Sequence, residues 1–438
     1  MKKLLIPILL ICFLLSAGWA YKSNISRKQE TKAVEGQYTL VVEGFDWGPA
    51  ASKVILSMPD SVSEVNGDVF EVYVKKATAC ADLSPEEANG ELRVLYAYVS
   101  DGNANRLPKG KHVTLALYVA PFESVNSPIK YFFNNQNCSG NQWIDFNLTI
   151  LNKSTMQIWN KEERRILPLV DDFDLSGSFK HKAVTLTYAS FTPTEASGQR
   201  PLLIWLHGGG EGGTDTTIPL IANRAAHYAS PEIQAFFGGA YVLVPQSPSF
   251  WMDNGQGQYT RGEVDDMYNE SLMALIKDYV DRHPEIDRSR IYLGGCSNGG
   301  YMTLKLLLRE PDYFAAAFPS ALALYAKNLS PADIQRIKDI PMWFIHSKDD
   351  NVTPPNETVV PAYHKLMQAG AKQVHFSYFD HVVDITNQFG GEGFHYPGHW
   401  SWIYSHANKC QLDFDGQPVR IDGQSVSLMG WLARQRKR

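Results

Sequence analysis

The apolar run Ile291-Tyr292-Leu293 leads directly into Gly294-Gly295-Cys296-Ser297-Asn298-Gly299-Gly300 and then into Tyr301-Met302-Thr303-Leu304-Lys305-Leu306-Leu307-Leu308. That order of strand, tight glycine turn and buried helix is what a nucleophile elbow requires. A side chain held at the tip of such a turn needs very small neighbours two residues before and after, here Gly295 and Gly299. Ser297 is therefore the candidate nucleophile. The turn also aims the Asn298 N–H and the positive end of the following helix at the reaction centre. Upstream, Val264, Tyr268, Leu272, Leu275, Ile276 and Tyr279 recur at helical spacing, and Asp287-Arg288-Ser289-Arg290 separates that amphipathic segment from the strand.

A second apolar strand, Leu202-Leu203-Ile204-Trp205-Leu206, runs into His207-Gly208-Gly209-Gly210-Glu211-Gly212-Gly213, a loop almost without side chains. Such a loop can bring backbone N–H groups close to a substrate. In acyl transfer the carbonyl oxygen gains negative charge at the tetrahedral stage, and preorganised donors stabilise it. The expected oxyanion donors are the N–H groups of Asn298 and Gly209. A phosphate-cradling P-loop is excluded because no Gly-Lys-Ser/Thr ending follows, and the glycine spacing does not fit a dinucleotide fingerprint.

A serine hydroxyl needs a histidine base, and the histidine needs a carboxylate that fixes its tautomer. With chain order Ser, acid, His, the acid belongs in a loop after a later strand. Pro341-Met342-Trp343-Phe344-Ile345 is that strand, running into His346-Ser347-Lys348-Asp349-Asp350-Asn351-Val352-Thr353-Pro354. Asp350, four residues after His346 and four before Pro354, is the expected acid, with Asp349 as its competitor. His399, in Tyr396-Pro397-Gly398-His399-Trp400-Ser401-Trp402, is the expected base. His395 is the nearest rival; His381 and His375 lie in or just after a strand-like stretch. No Cys/His spacing suggests zinc, and neither a metal nor an organic cofactor is expected.

Together these residues resemble bacterial secreted α/β-hydrolases of the esterase and predicted-peptidase type, related to polyhydroxybutyrate depolymerases, that carry an N-terminal immunoglobulin-like domain. The resemblance rests on His207 to Gly213, Val244-Pro245-Gln246-Ser247-Pro248 with Trp251-Met252, Gly295 to Met302, the His346 to Pro354 loop, and Gly398-His399 with Trp402. It implies an α/β-hydrolase fold over residues 172–438 and a serine carboxylesterase-like activity. A peptidase of prolyl-oligopeptidase type, or a depolymerase of polyesters or carbohydrate esters, would use the same residues. Ser347 stands where glycine is more usual, which leaves Asp349 open as the acid.

With 438 residues, 44% hydrophobic and 20% charged, the chain is long enough for two domains. Lys2-Lys3, the apolar Leu4 to Leu15 and Ser16-Ala17-Gly18-Trp19-Ala20 have a signal-peptide layout over residues 1–20, so the chain is expected to be secreted or extracytoplasmic. Residues 21–36 read as a linker. From 37 to 165, short alternating runs such as Tyr38 to Val42, Val69 to Val74, Leu92 to Val99 and Ile144 to Ile150 indicate a β-sandwich. The immunoglobulin-like topology comes from the resemblance. Cys80 and Cys138 are the candidate disulfide pair of this domain, and Cys296 reads as a small buried thiol. The sandwich is expected to pack beside the active site or to mediate homo-oligomerisation, with polymer binding as the rival role. A net charge of −5 does not favour nucleic acid, and Arg434 to Arg438 reads as a solvated tail. Substrate selection is assigned to Trp251, Met252, Trp400 and the stretch from Asp380 to Phe394, whose glycines suggest a flexible lid edge.

Overall fold

The computed structural model describes residues 35–133, 138–194 and 198–437. The expected signal peptide lies outside the described residues.

Two eight-stranded sheets organise the chain. In the first, the strands run in the order Asn89–Glu91, Phe70–Ala77, Asp145–Asn152, Gln157–Ile166, Glu35–Phe45, Gly48–Val62, Gly110–Leu117, Val94–Ser100. All neighbours are antiparallel except Glu35–Phe45 beside Gln157–Ile166. The ladder is continuous, yet it folds over on itself. Leu40, Val54 and Leu56 from its middle share one buried cluster with Val72, Phe146, Leu148 and Ile150. The Gly67 turn, before one end of the sheet, lies against the Tyr96 and Ala97 backbone at the other. Gln157–Ile166 was hidden in sequence by its charged residues; it is anchored by the fully buried Trp159, whose indole N–H donates to Ser57 O at 2.9 Å. A separate hairpin, Ile129–Phe132 with Gly140–Trp143, projects from this domain, and the Cys80–Cys138 disulfide ties its turn.

The second sheet runs Asp174–His181, Val184–Phe191, Tyr241–Gln246, Arg200–Leu206, Ile286–Cys296, Ala316–Ser320, Met342–Ser347, Val374–Phe379. Val184–Phe191 pairs antiparallel on both sides, with Asp174–His181 and with Tyr241–Gln246; the six strands from Tyr241–Gln246 onward are mutually parallel. The unbroken apolar runs follow from burial on both faces. Leu203, Trp205, Phe318, Trp343 and Ile345 point into one core, while Leu202, Ile204, Leu206, Met342 and Phe344 point into the other. The second core holds the helices Asn269–Arg282 and Asn298–Arg309; the first runs on without a break into the N-terminal domain.

Three readings need correction. The amphipathic helix begins at Asn269, and Val264 is exposed before it. Asp287 to Arg290 opens the strand Ile286–Cys296 rather than separating it from a helix. The C-terminal residues are largely exposed, as expected of a solvated segment, but they are not a free tail: Lys437 N–H donates to Ser289 O at 2.8 Å and Arg436 bonds Asp287 at 3.1 Å.

Because the six strands are parallel and in register (Leu206 opposite Gly295, Cys296 opposite Ser320, Ser320 opposite Ile345), their carboxyl ends open on one edge. The glycine loop, the Ser297 turn and the acid loop all leave the sheet there, which is where open parallel sheets bind ligands.

Candidate active site

Ser297 sits between strand and helix with φ 53° and ψ −110°, a conformation costing on the order of 1–3 kcal/mol for a residue with a side chain. Its surroundings enforce it. Ser297 N–H donates to Ser320 O at 2.9 Å, and a Cβ on Gly299 would lie 2.0 Å from Leu206 O. A Cβ on Gly295 would lie 2.5 Å from Gly299 O, so only glycines let the turn press against the neighbouring strand. Asn298 is the first residue of its helix, and its N–H has no intrahelical acceptor.

Ser297 Oγ and His399 Nε2 are 2.9 Å apart, and His399 Nδ1 lies 2.9 Å from Asp350 Oδ2. Asp350 Oδ2 also receives His346 Nε2–H at 3.0 Å and the Thr353 hydroxyl at 2.7 Å, while Oδ1 accepts the Val352 and Thr353 N–H groups. Burial works against this charge, but the hydrogen bonds from His346 and His399 hold the carboxyl well below the usual carboxylate range. Asp349 is engaged elsewhere: it accepts from the Ser347 hydroxyl and lies 2.8 Å from His381 Nδ1. A Cβ on Gly398 would sit 2.2 Å from Asp349 Oδ1, so the glycine before His399 lets the histidine turn close onto the acid loop. His395 is exposed and stacks on His381, and His375 pairs with Asp413.

Beside the serine, the glycine loop is fixed by its carbonyls. His207, fully buried and pushed down to about 4 by burial, is neutral: Ser247 N–H donates to its Nε2 at 3.1 Å, and its Nδ1–H donates to Gly208 O at 2.6 Å. In a trans peptide the N–H points opposite to the carbonyl, so this bond turns the Gly209 N–H away from His207. A Cβ on Gly209 would lie 3.1 Å from Tyr259 Oη and 3.9 Å from the Asn298 Cβ, so the two expected oxyanion donors border the same space.

Trp251 and Met252 do not line this opening. Trp251 is fully buried against His207, with ring centroids 4.9 Å apart, and Met252 N–H donates to Asn298 Oδ1. The 380–394 stretch is gathered on Asp384, which accepts N–H groups of Thr386, Phe389 and Gly391, while Trp47 packs edge-on against Phe389. His346 and Thr353 were legible only as neighbours of the acid; Tyr131 and Asn141 of the N-terminal domain, which cover the glycine loop, carry no sequence signal for that role. Cys296 is buried, and burial pushes its thiol well up, away from the reactive thiolate. A cavity of about 640 Å³ lies in the N-terminal domain between Val65–Phe70 and Leu92–Ala97, lined by none of the residues of the Ser297 relay.

Residues 37–163 match the Esterase Ig-like N-terminal domain, and residues 248–324, which include Ser297, match the Prolyl oligopeptidase family. The chain is a serine hydrolase of the α/β-hydrolase fold. A solved thermostable esterase is similar to this hydrolase with a TM-score of 0.71 and 23% identity, covering 91% of this chain and 99% of its own. That likeness extends the shared fold over both domains. An acylaminoacyl peptidase aligns at TM-score 0.39 and 16% identity over 63% of this chain and 47% of its own. One from Pyrococcus horikoshii aligns at 0.37 and 20% over 57% and 43%. No curated protein matches the hydrolase.

Proposed function

We propose that this hydrolase cleaves carboxylic esters through an acyl-enzyme on Ser297. The observation that carries the reading is the relay from Ser297 Oγ through His399 to Asp350, two contacts of 2.9 Å at the tip of a strained turn. His399 Nε2 takes the Ser297 proton as Oγ attacks the ester carbonyl, and Asp350 keeps the other ring nitrogen protonated. The N–H groups of Gly209 and Asn298 bind the developing oxyanion. His399 then protonates the departing alcohol, deprotonates a water and so releases the acid and the free serine.

The esterase-type N-terminal domain and the thermostable esterase likeness support ester over amide substrates. Peptide cleavage is the second reading, favoured by the Prolyl oligopeptidase family match around Ser297. An extracytoplasmic setting is supported by the Cys80–Cys138 disulfide, which persists where thiols are not kept reduced.

The test is a panel of p-nitrophenyl esters of increasing acyl length beside aminoacyl p-nitroanilides, with Ser297→Ala as control. Ester turnover is expected, and the variant should lose roughly 10⁴-fold or more of it while keeping its circular dichroism spectrum. Anilide cleavage without ester cleavage would move the assignment to a peptidase, and an active Ser297→Ala would end it.

A further inference from the structure

The hairpin Ile129–Phe132 with Gly140–Trp143 belongs to the N-terminal domain, yet its turn end lies on the glycine loop of the hydrolase domain. Asn141 grips that loop twice. Its N–H donates to Gly210 O at 2.6 Å, and its side-chain amide donates to Glu211 Oε1 at 2.7 Å. The approach is so close that a Cβ on Gly140, at φ +76°, would meet Gly210 O at 2.4 Å, and one on Gly210 would meet the Tyr131 ring at 2.7 Å. Glu211 is only 4% exposed. Its other oxygen faces the underside of the loop, 3.0 Å from where a Cβ on Gly208 would stand.

The hydrolase domain orients two of the loop's carbonyls itself: His207 donates to Gly208 O, and Gln246 Nε2 donates to Glu211 O at 2.9 Å. Between them, the Gly210–Glu211 peptide is held by the N-terminal domain. Three glycines in a row have no side chains to lock their own dihedrals, so the direction of Gly209 N–H depends on how both flanks are pinned.

We propose that Asn141 is a positioning residue for the oxyanion hole, supplied by the N-terminal domain and acting through Gly210 and Glu211 on the Gly209 N–H. Its hydrogen bonds go to Gly210 and Glu211 and not to Ser297. The inference rests on the acyl-enzyme reading above. A backbone donor stabilises the transition state only while it points at the developing charge, and a misplacement of about 1 Å can cost on the order of a hundredfold in rate.

The experiment compares the full-length wild type, Asn141→Ala, Trp143→Phe and Ser297→Ala on p-nitrophenyl butyrate. Inhibition by phenylboronic acid is measured alongside, because its tetrahedral adduct with a serine hydroxyl places an oxygen in the oxyanion hole. Asn141→Ala should lower kcat roughly ten- to a hundredfold with KM within about threefold, and weaken boronate inhibition by a similar factor. Trp143→Phe removes another cross-domain bond, from Trp143 Nε1 to Thr217 Oγ1 at 2.9 Å. It should lower the melting temperature and leave kcat within about twofold, since the bond it removes goes to Thr217 and not to the glycine loop. Both Asn141→Ala and Asn141→Ser keep the backbone bond to Gly210 O and lose the amide bond to Glu211; should the alanine variant fold poorly, the serine variant should show the same split of kcat from KM. Wild-type kcat in a folded Asn141 variant, or kcat losses in Asn141→Ala and Trp143→Phe that simply follow stability, would overturn the inference alone. A wild type inert toward esters, or an active Ser297→Ala, would overturn the acyl-enzyme reading and the inference with it.

Discussion

Two adjacent aspartates show how far a single residue's role can be read before folding. Both Asp349 and Asp350 suit an acid loop, and the spacing from His346 and Pro354 favoured the second while leaving the first as its competitor. In the folded chain Asp350 is buried under donors from His346, His399 and Thr353, whereas Asp349 serves His381 and the Ser347 hydroxyl. The serine that departs from the usual glycine thus engages the competitor. Asp350→Asn is expected to lower kcat on the order of 10⁴-fold by losing the correct His399 tautomer. Asp349→Asn should stay within about tenfold, because it only supports the packing of the Gly398 turn. Equal losses in steady-state kinetics would contradict the assignment. Glu211 makes a pH prediction. Burial pushes it up to about 7 from the ordinary 4.5, so the folded chain binds its proton more tightly than the unfolded chain. The stabilisation is full below about pH 4.5 and is lost as pH rises through about 7, a change of about 3 kcal/mol. Tyr131, Tyr259 and Cys296, which feel its charge, are all pushed upward and stay protonated in that window. His207 slopes the other way, losing stabilisation as pH falls from 6.5 through about 4. Urea unfolding of wild type and Glu211→Gln at pH 5 and pH 8 separates the two: the wild-type value relative to the variant should fall by about 2.5 kcal/mol toward pH 8, most of the full change. A pH-independent difference would show that Glu211 does not titrate there.

At the scale of elements, the Ser297 turn was the most legible part of the chain, because its geometry demands particular residues. A strand must end, a residue must take positive φ, and the next helix must start against a neighbouring backbone; only glycines at 295 and 299 allow it. Gly299→Ala should therefore destabilise by about 3 kcal/mol or more, since the collision is with the Leu206 carbonyl rather than a movable side chain. An unchanged denaturation midpoint would refute this packing. Other elements left weaker marks. Gln157–Ile166 carries Lys161, Glu162, Glu163, Arg164 and Arg165, and became a strand because Trp159 anchors it and Glu35–Phe45 pairs with it. The hairpin that holds Asn141 is short and polar, and its place on the glycine loop depends on a surface more than sixty residues away in sequence. Periodicity describes a segment's own faces, so it is silent about what a short hairpin will meet.

For the whole molecule, one buried cluster runs from Leu40 and Trp159 of the first sheet through Ile218 and Leu220 to Trp343 of the second and Trp431 of the helix Leu428–Leu432. Arg224 reaches across to Asp46 at 2.5 Å, and Asp46 is 3% exposed at its side chain. Domains joined by a core of this kind lose each other's contacts when either opens, so calorimetry is expected to show a single unfolding transition. Two resolved transitions would show that the domains fold independently. Among the described residues no helix is long and apolar enough to cross a membrane. By itself the sequence determined the fold class, the serine at the tip of its turn and the set of histidines and aspartates from which its partners are drawn. These are written locally, in glycines that sterics require and in apolar runs that both faces of a sheet bury. The tertiary structure alone decided which aspartate meets His399, that Trp251 is core rather than rim, and that the N-terminal domain grips the glycine loop through Asn141. Each of those depends on surfaces brought together from distant parts of the chain, and the direction of a carbonyl or the burial of a carboxylate exists only once those surfaces meet.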